Sequence, residues 1–419
     1  MQKGSNELGH ADFDQREQRA LFKSYGCLLR AAKAENDQSR DTELNLASLY
    51  APLGRSCSEN EAILEVHPFD GKPGWEKANE FGGDRSSHVS MMDDGEPIID
   101  SKYKYFELDN AWVTPRGHVC HKNALLMDQV QATAASWADG HAHPYFYANP
   151  PFRAFDPETR TCVVELNGDL HNKEAFLFAT ENAAANFGHF IHDTLLQYPL
   201  YRELLNKFPN MLCLMAHDFK YPVQQAIITE LFKEEIKEGR MRKPDIEGGY
   251  RKLIVPIDQF RPFHNIINID AAINIRKTLS NLARNYTLVD TVECNKIFVS
   301  RRDGTSAEYG RSQLPHDKIE AQFTEMGYRV VSVSDMSIPE IMFTFSRARV
   351  VAGIHGAGLL NIMFSMHDDA ELIELDTVIP GWASIERICK SSGVKHRRIR
   401  PAIEGGNVYY NLLDLPCAH

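Results

Sequence analysis

Four groups of residues in this chain have the types and spacing that chemistry requires. The first lies in Arg349-Val-Val-Ala-Gly-Ile-His-Gly-Ala-Gly-Leu-Leu-Asn361. A β-branched run, Val350 and Val351, breaks at Gly353 and resumes as the helical-looking Leu359–Phe364, the pattern of a strand, a tight turn and a helix N-terminus. Glycines at 353, 356 and 358 let backbone approach a ligand closely, and the unpaired N–H groups that open a helix favour an anion such as a phosphate. His355, Gly356, Ala357, Gly358 and Asn361 are the residues such a turn offers. Gly-rich turns of this kind also occur without a ligand, so the other groups decide its meaning.

The second group is Asn186-Phe-Gly-His-Phe-Ile-His-Asp193. On a helix, His189 would sit four residues from Asp193 and three from His192, so the side chains share one turn. A carboxylate beside an imidazole raises its basicity and fixes its tautomer, as a general base acting on a hydroxyl requires. A solvated His–Asp pair on a helix surface has the same sequence. The third group is Ser300-Arg-Arg-Asp303 with Arg311, directly after a predicted strand, where arginines can grip a diphosphate in bidentate fashion. Glu374, ending the predicted strand Leu372–Leu375, is the fourth. It is placed to accept hydrogen bonds from a ribose diol, or to serve as a helix cap or a surface charge.

Other chemistries are disfavoured. His141 and His143 form a His-x-His without a third ligand at metal spacing. The spacing of Gly353, Gly356 and Gly358 differs from Gly-x-Gly-x-x-Gly, which argues against a nicotinamide or flavin site. Asp12-Phe-Asp14, the single Asp-x-Asp, lies in a polar N-terminal segment, so arginines and backbone amides are better supported as diphosphate ligands than a bound divalent metal.

The elements that must position these groups alternate. From Thr161 onward, strands at Cys162–Leu166, Ala175–Thr180, Met211–Met215 and Lys252–Pro256 are interleaved with helical periodicity over His189–Phe208 and Val223–Ile236. A helix at Asp270–Asn285 leads to a second series. Its strands are Lys296–Ser300, Arg329–Val333, Val350–Ala352 and Ala370–Leu375, and its helices Lys318–Met326, Pro339–Phe345, one from Gly358, and Trp382–Ser391. Strands and helices alternating at this spacing predict a parallel, doubly wound α/β sheet, with ligands at the carboxyl ends of its strands. Before Thr161 the chain reads poorly, apart from an amphipathic helix at Ala20–Ala32 that needs a partner, either the body of the protein or another subunit.

Composition bounds the partners. With 419 residues and 43% hydrophobic content the chain can bury a sizeable core, and its net charge of −11 argues against nucleic acid. An anionic ligand therefore needs a local cationic pocket. No apolar run reaches membrane-spanning length and the first residues lack a signal-peptide core, so the expectations are a cytoplasmic location, with or without peripheral membrane association, or a lumenal domain separated from its anchor. The eight cysteines form no Cys-x-x-Cys pair and fit reduced, buried thiols.

Taken together, Asn186-x-x-His189-x-x-x-Asp193, Val299-Ser-Arg-Arg-Asp303 and Val351-Ala-Gly-Ile-His-Gly-Ala-Gly358-Leu-Leu-Asn361 followed by Leu372-Ile-Glu-Leu375 resemble glycosyltransferase family 61 in order and spacing. That family contains plant β-1,2-xylosyltransferases, arabinosyltransferases and animal O-linked N-acetylglucosaminyltransferases, with many bacterial polysaccharide proteins. The resemblance implies a GT-B arrangement, two Rossmann-like doubly wound domains facing across a cleft. The domains would be an N-terminal helical and loop extension over 1–95, an acceptor domain over 96–268 and a nucleotide-sugar donor domain over 269–419. It also implies a UDP-sugar or related donor, a glycan or glycoconjugate acceptor, inversion, and no cofactor or essential metal. Arg301, Arg302 and Arg311 would hold the diphosphate, the His355–Gly358 turn would line it, and Glu374 would meet the ribose. Asn186 and Gly188 would face the acceptor, with His189, His192 or Asp193 as the base. The chain has Leu314-Pro-His-Asp317 where the family has an Asn-Glu pair after Arg311. The alternative is a non-catalytic sugar- or nucleotide-binding subunit of a polysaccharide-assembly system, and a self-association through the N-terminal helix is a further expectation.

Overall fold

Short apolar runs buried on both faces belong inside a parallel sheet, and the second half of the chain supplies several. The computed structural model describes residues from Glu61 to Leu412, except 69–78, 82–97, 128–151, 180–186, 257–265, 288–294, 303–313, 378–383 and shorter gaps. Lys296–Val299, Arg329–Val331, Val350–Ile354, Glu371–Leu375 and Lys395–Ile399 form a five-stranded, wholly parallel sheet in the spatial order second, first, third, fourth, fifth. Alternate side chains pack in opposite directions. Phe298, Ala352, Ile354, Ile373 and Leu375 cluster with Ile319 and Phe323 of the helix His316–Glu325. Ile297, Val299, Val351 and Leu372 cluster instead with the helices Ile338–Ser346, Ser384–Ser391 and Ile269–Arg284. Helices thus cover both faces, and the sheet is doubly wound as expected.

The first sheet is different. It has eleven strands. Its parallel part runs Met241–Arg242, Leu212–Met215, Leu170–Ala179, Gly249–Pro256, which is third, second, first, fourth in chain order. Beyond Gly249–Pro256 it turns antiparallel with Tyr103–Val113 and continues through Val119–His121, Ala124–Met127, Glu61–Pro68, Thr161–Glu165 and Phe152–Asp156. A second purely doubly wound sheet was expected. The reason for the difference is local: Tyr103–Val113 and Val119–His121 are separated by a hairpin-length connection, which joins only antiparallel neighbours. Glu61–Pro68 and Asn79–Phe81 pair within this sheet, so it begins before residue 96, in the stretch expected to be a helix-and-loop extension. The expected helix at Ala20–Ala32 lies outside the described residues.

One helix joins the two sheets. Ile269–Arg284 buries Ile269, Ala272, Ile275, Leu279 and Ala283, the spacing of a single apolar stripe, and Asn268 caps it by accepting a hydrogen bond from the Ala271 N–H at 2.8 Å. It packs against Tyr198–Lys207 and Pro222–Leu231 from the first series and against Ile338–Ser346 and Ser384–Ser391 from the second. Phe176, Phe178 and Ile254 of the first sheet therefore share one apolar cluster with Ile297, Val351 and Leu372 of the second. Cys120, Cys213 and Cys389 are free thiols in this interior, and burial pushes the thiols of Cys120 and Cys389 up. Among the described residues no helix is long and apolar enough to cross a membrane.

Two helical segments are wound differently from expectation. The predicted helix over 189–208 is a short α-helical piece, Phe187–His189, then a π-helical turn, Phe190–Thr194, a 3-10 turn, Leu195–Gln197, and only then the α-helix Tyr198–Lys207. Ala357–Phe364, expected as an α-helix, is a 3-10 helix whose residues from Leu359 on are all buried. Hemmed in by Ile269–Arg284 and Ile338–Ser346, it takes its winding from its neighbours rather than from its own propensity. Close packing also explains Gly353, where a Cβ would stand 2.9 Å from both Leu359 Cδ2 and the Val299 carbonyl oxygen. Gly353→Ala should therefore cost about 1–3 kcal/mol of stability, read as a lower urea midpoint with an unchanged slope.

Candidate functional site

The reversal of strand order in the second sheet lies between its first strand, Lys296–Val299, and its third, Val350–Ile354. Side chains and backbone just past the carboxyl ends of those strands form the crevice where open α/β sheets take ligands. The residues there are Ser300, Arg301 and Arg302 on one side and His355, Gly356 and Ala357 on the other. Arg301 lies directly over Gly356: a Cβ on that glycine would stand 2.8 Å from the guanidinium carbon and from Nη2. Only a residue without a side chain admits the arginine so close to the turn. Among the described residues Arg301 Nε is buried without a hydrogen-bond partner, a donor that an anionic ligand would satisfy.

The other arginines fare differently. Arg302 is turned toward the helix His316–Glu325, where its Nη2 meets Asp317 at 2.7 Å and Glu320 at 2.6 Å. Ser300 Oγ donates to the second oxygen of the buried Glu320 at 2.7 Å. Ser300 and Arg302 therefore tie the strand end to the helix, in place of the diphosphate contact expected of Arg302. Asp317 belongs to the Leu314-Pro-His-Asp317 segment that departs from the resembled pattern. Arg311 lies outside the described residues, as does Asn186.

Glu374 corrects a second expectation. Its side chain is 1% exposed and both of its oxygens are engaged, one by His355 Nδ1 and the other by His396 Nε2 at 2.7 Å. A carboxylate so enclosed has no face for a ribose; it stands behind the turn rather than in the crevice. Burial pushes its carboxyl up, but the hydrogen bonds from His355 and His396 and the charge those rings carry outweigh this and hold it down to about 2. His396 was missed at the sequence level. The signal was the period-two alternation of Lys395–Ile399, which puts His396 and Arg398 on one face of an edge strand. Asn361 is buried in the 3-10 helix, where its side-chain amide donates to the Gly358 carbonyl at 2.8 Å and so braces the turn from within; its Oδ1 is buried without a partner.

The first sheet supplies the facing group. Its own order reverses between Leu170–Ala179 and Gly249–Pro256, and the chain leaving the end of Leu170–Ala179 leads to Phe187–His189. That segment packs against the 3-10 helix Ala357–Phe364, directly after the turn. His189 and His192 have ring centroids 5.0 Å apart, and His192 and Gly188 are buried while His189 is partly exposed. The side chain of Asp193 lies outside the described residues. The π-helical turn at Phe190–Thr194 replaces the α-helical register on which the expected pairing of His189 with Asp193 rested. Among the described residues no group of three or more His, Cys, Asp or Glu is arranged to hold a metal ion.

Fold and turn together define an α/β protein with a cationic, glycine-floored crevice at a reversal of strand order, suited to an anionic ligand. Comparison with known families makes the assignment: the family model described as glycosyltransferase 61 matches residues 187–373, from the His189 segment to the strand that carries Glu374. Residues 187–373 thus carry a glycosyltransferase 61 domain, that of a glycosyltransferase enzyme, which acts between a donor and an acceptor. A search of curated proteins finds no match.

The state of Glu374 has a measurable sign. With a folded value of about 2 against 4.5 for a free carboxyl, its stabilising contribution is complete above 4.5 and is lost as pH falls toward 2. Urea denaturation across that range should show the wild type losing on the order of 3 kcal/mol from this group, and Glu374→Gln should flatten that part of the profile while lowering stability near neutrality. An unchanged acid slope in the variant would locate the titration elsewhere.

Proposed function

We propose that the chain moves a sugar from a nucleoside diphosphate sugar, most simply a UDP-sugar, to a hydroxyl of a glycan or glycoconjugate, with inversion and without an essential metal. The proposed arrangement is of the GT-B kind, with the donor at the crevice of the five-stranded sheet and the acceptor on the side of the His189 segment. One observation carries the reading: Arg301 lies on Gly356 at the switch point, with a buried donor unsatisfied. A guanidinium so placed can bind two phosphoryl oxygens at once and neutralise the charge that develops on a departing diphosphate. A polysaccharide or glycoconjugate pathway would supply the acceptor.

The chemistry is a single displacement. The acceptor oxygen forms its bond to the anomeric carbon while the bond from that carbon to the terminal phosphoryl oxygen breaks, and the electron pair leaves with the phosphate. The acceptor proton passes to a base, for which His189, His192 and Asp193 are the candidates. Their segment packs on the helix that follows the turn, and this proximity supports a base on the other side of the anomeric carbon from Arg301.

Three measurements test this. Arg301→Ala should weaken UDP binding by calorimetry at least about tenfold, the loss of one charge-assisted bidentate contact; unchanged affinity removes the arginine from the donor site. Replacing His189, His192 and Asp193 singly with Ala should lower sugar transfer about 100- to 10,000-fold for the residue that is the base, and near-normal turnover in all three sinks the assignment. Transfer that disappears on adding a chelator and returns with a divalent ion counts against the metal-free mechanism.

A further inference from the structure

His355 and Glu374 come from adjacent strands of the five-stranded sheet and His396 from the next one. Leu372, Glu374 and, by its register opposite Leu372, His396 share the face that looks into the apolar layer. The carboxylate is thus sunk among hydrocarbon, where a charge is costly unless its oxygens are bonded. A carboxylate only accepts, so His355 Nδ1 and His396 Nε2 both carry hydrogen toward it. The His396 side chain is 0% exposed and the His355 side chain 8%, so of the two only His355 reaches the crevice. Its backbone is fixed too, the N–H donating to the Leu375 carbonyl at 2.8 Å. With Nδ1 turned inward, the Nε2 edge of the ring is turned away from Glu374, on the residue adjoining the glycine under Arg301.

We propose that Glu374 and His396 are positioning residues for His355, holding its ring with Nδ1–H on the buried carboxylate so that Nε2 donates a hydrogen bond to the terminal phosphoryl group of a nucleoside diphosphate. The inference rests on the donor reading above and deepens it. Arg398, on the same strand as His396, faces Glu374 but is paired with Asp376 at 3.0 Å, and Cys389, from the helix packed over the carboxylate, is kept neutral by a thiol that burial pushes up. Arg398 also feels the Glu374 charge, but both Glu374 oxygens are taken by the two imidazoles. Imidazole is the side chain whose charge can change near neutrality, so the part His355 plays is read from the pH dependence of binding.

The test uses the full chain and three variants, His355→Asn, Glu374→Gln and His396→Asn, with thermal unfolding to confirm that each folds. Ring nitrogens are followed by NMR of histidine-labelled protein, and UDP affinity by calorimetry at pH 6 and pH 8. The terminal phosphate of UDP titrates identically in every sample, so the readout is the difference between chains. His355→Asn and Glu374→Gln should each weaken UDP binding about tenfold, and the double variant no further, because both remove one interaction. The rise in affinity from pH 8 to pH 6 should be smaller in both than in the wild type. His396→Asn, which leaves the His355–Glu374 bond in place, should retain the His355 Nδ1–H signal but alter its titration; it carries the test should Glu374→Gln fail to fold. A folded Glu374→Gln chain with wild-type affinity and pH dependence overturns the proposal, as do losses that add in the double variant. A wild type that binds none of UDP, GDP and CDP rejects the donor reading, and the ligand contact proposed for His355 with it. A His355 ring signal indifferent to Glu374→Gln and His396→Asn rejects the positioning role alone.

Discussion

Every group discussed above is placed by one constraint: two sheets must cover their apolar faces with a single layer of helices. Ile269–Arg284 lies at the middle of that layer, and Phe176, Phe178 and Ile254 from one sheet meet the same cluster as Ile297, Val351 and Leu372 from the other. A shared, close-packed interior of this kind resists small displacements, since each shift opens gaps or forces overlaps. The relative position of the His189 segment and the His355–Gly358 turn is therefore set by packing far from either. It brings together the segments that follow two strands, Leu170–Ala179 and Val350–Ile354, that each stand at a reversal of strand order.

Within that frame the charges divide into two kinds. Arg302, Asp317, Glu320 and Ser300 satisfy one another and fasten a strand to its helix. Arg301, next to Arg302, has no such carboxylate among the described residues and rests on a glycine. The same separation runs through the histidines and Glu374: the carboxylate is held in the interior, and His355 is its contact with the crevice. Two adjacent arginines thus reach different surroundings, Arg301 the glycine turn and Arg302 the helix His316–Glu325.

Much of the frame was legible in the chain itself. The alternation of apolar runs and amphipathic stretches after Thr161 is strong because parallel strands are buried on both faces, and the strands at Lys296–Val299, Val350–Ile354 and Glu371–Leu375 fall where periodicity places them. The switch-point turn was legible for the same reason, since glycines after a β-branched run mark a place where backbone must come close. The antiparallel extension was not: Val119–His121 and Ala124–Met127 are short, and several strand partners are distant in sequence. The π-helical turn at Phe190–Thr194 and the 3-10 winding of Ala357–Phe364 were also invisible, because the local sequence of each is compatible with an α-helix.

The residue types, their order and the α/β alternation were determined by the sequence alone, since each depends on neighbours within a few positions: a glycine where a turn must be tight, an arginine after a strand, apolar residues at the period of their element. Which arginine faces the crevice, and whether Glu374 meets a ligand or a histidine, was decided only in the tertiary structure. Those outcomes depend on contacts between strands up to several elements apart, such as Glu374 with His396, and on whether a carboxylate ends in water or in hydrocarbon. No local pattern carries that information, because the same Glu at the end of the same strand would have been a surface charge had the helix layer not closed over it.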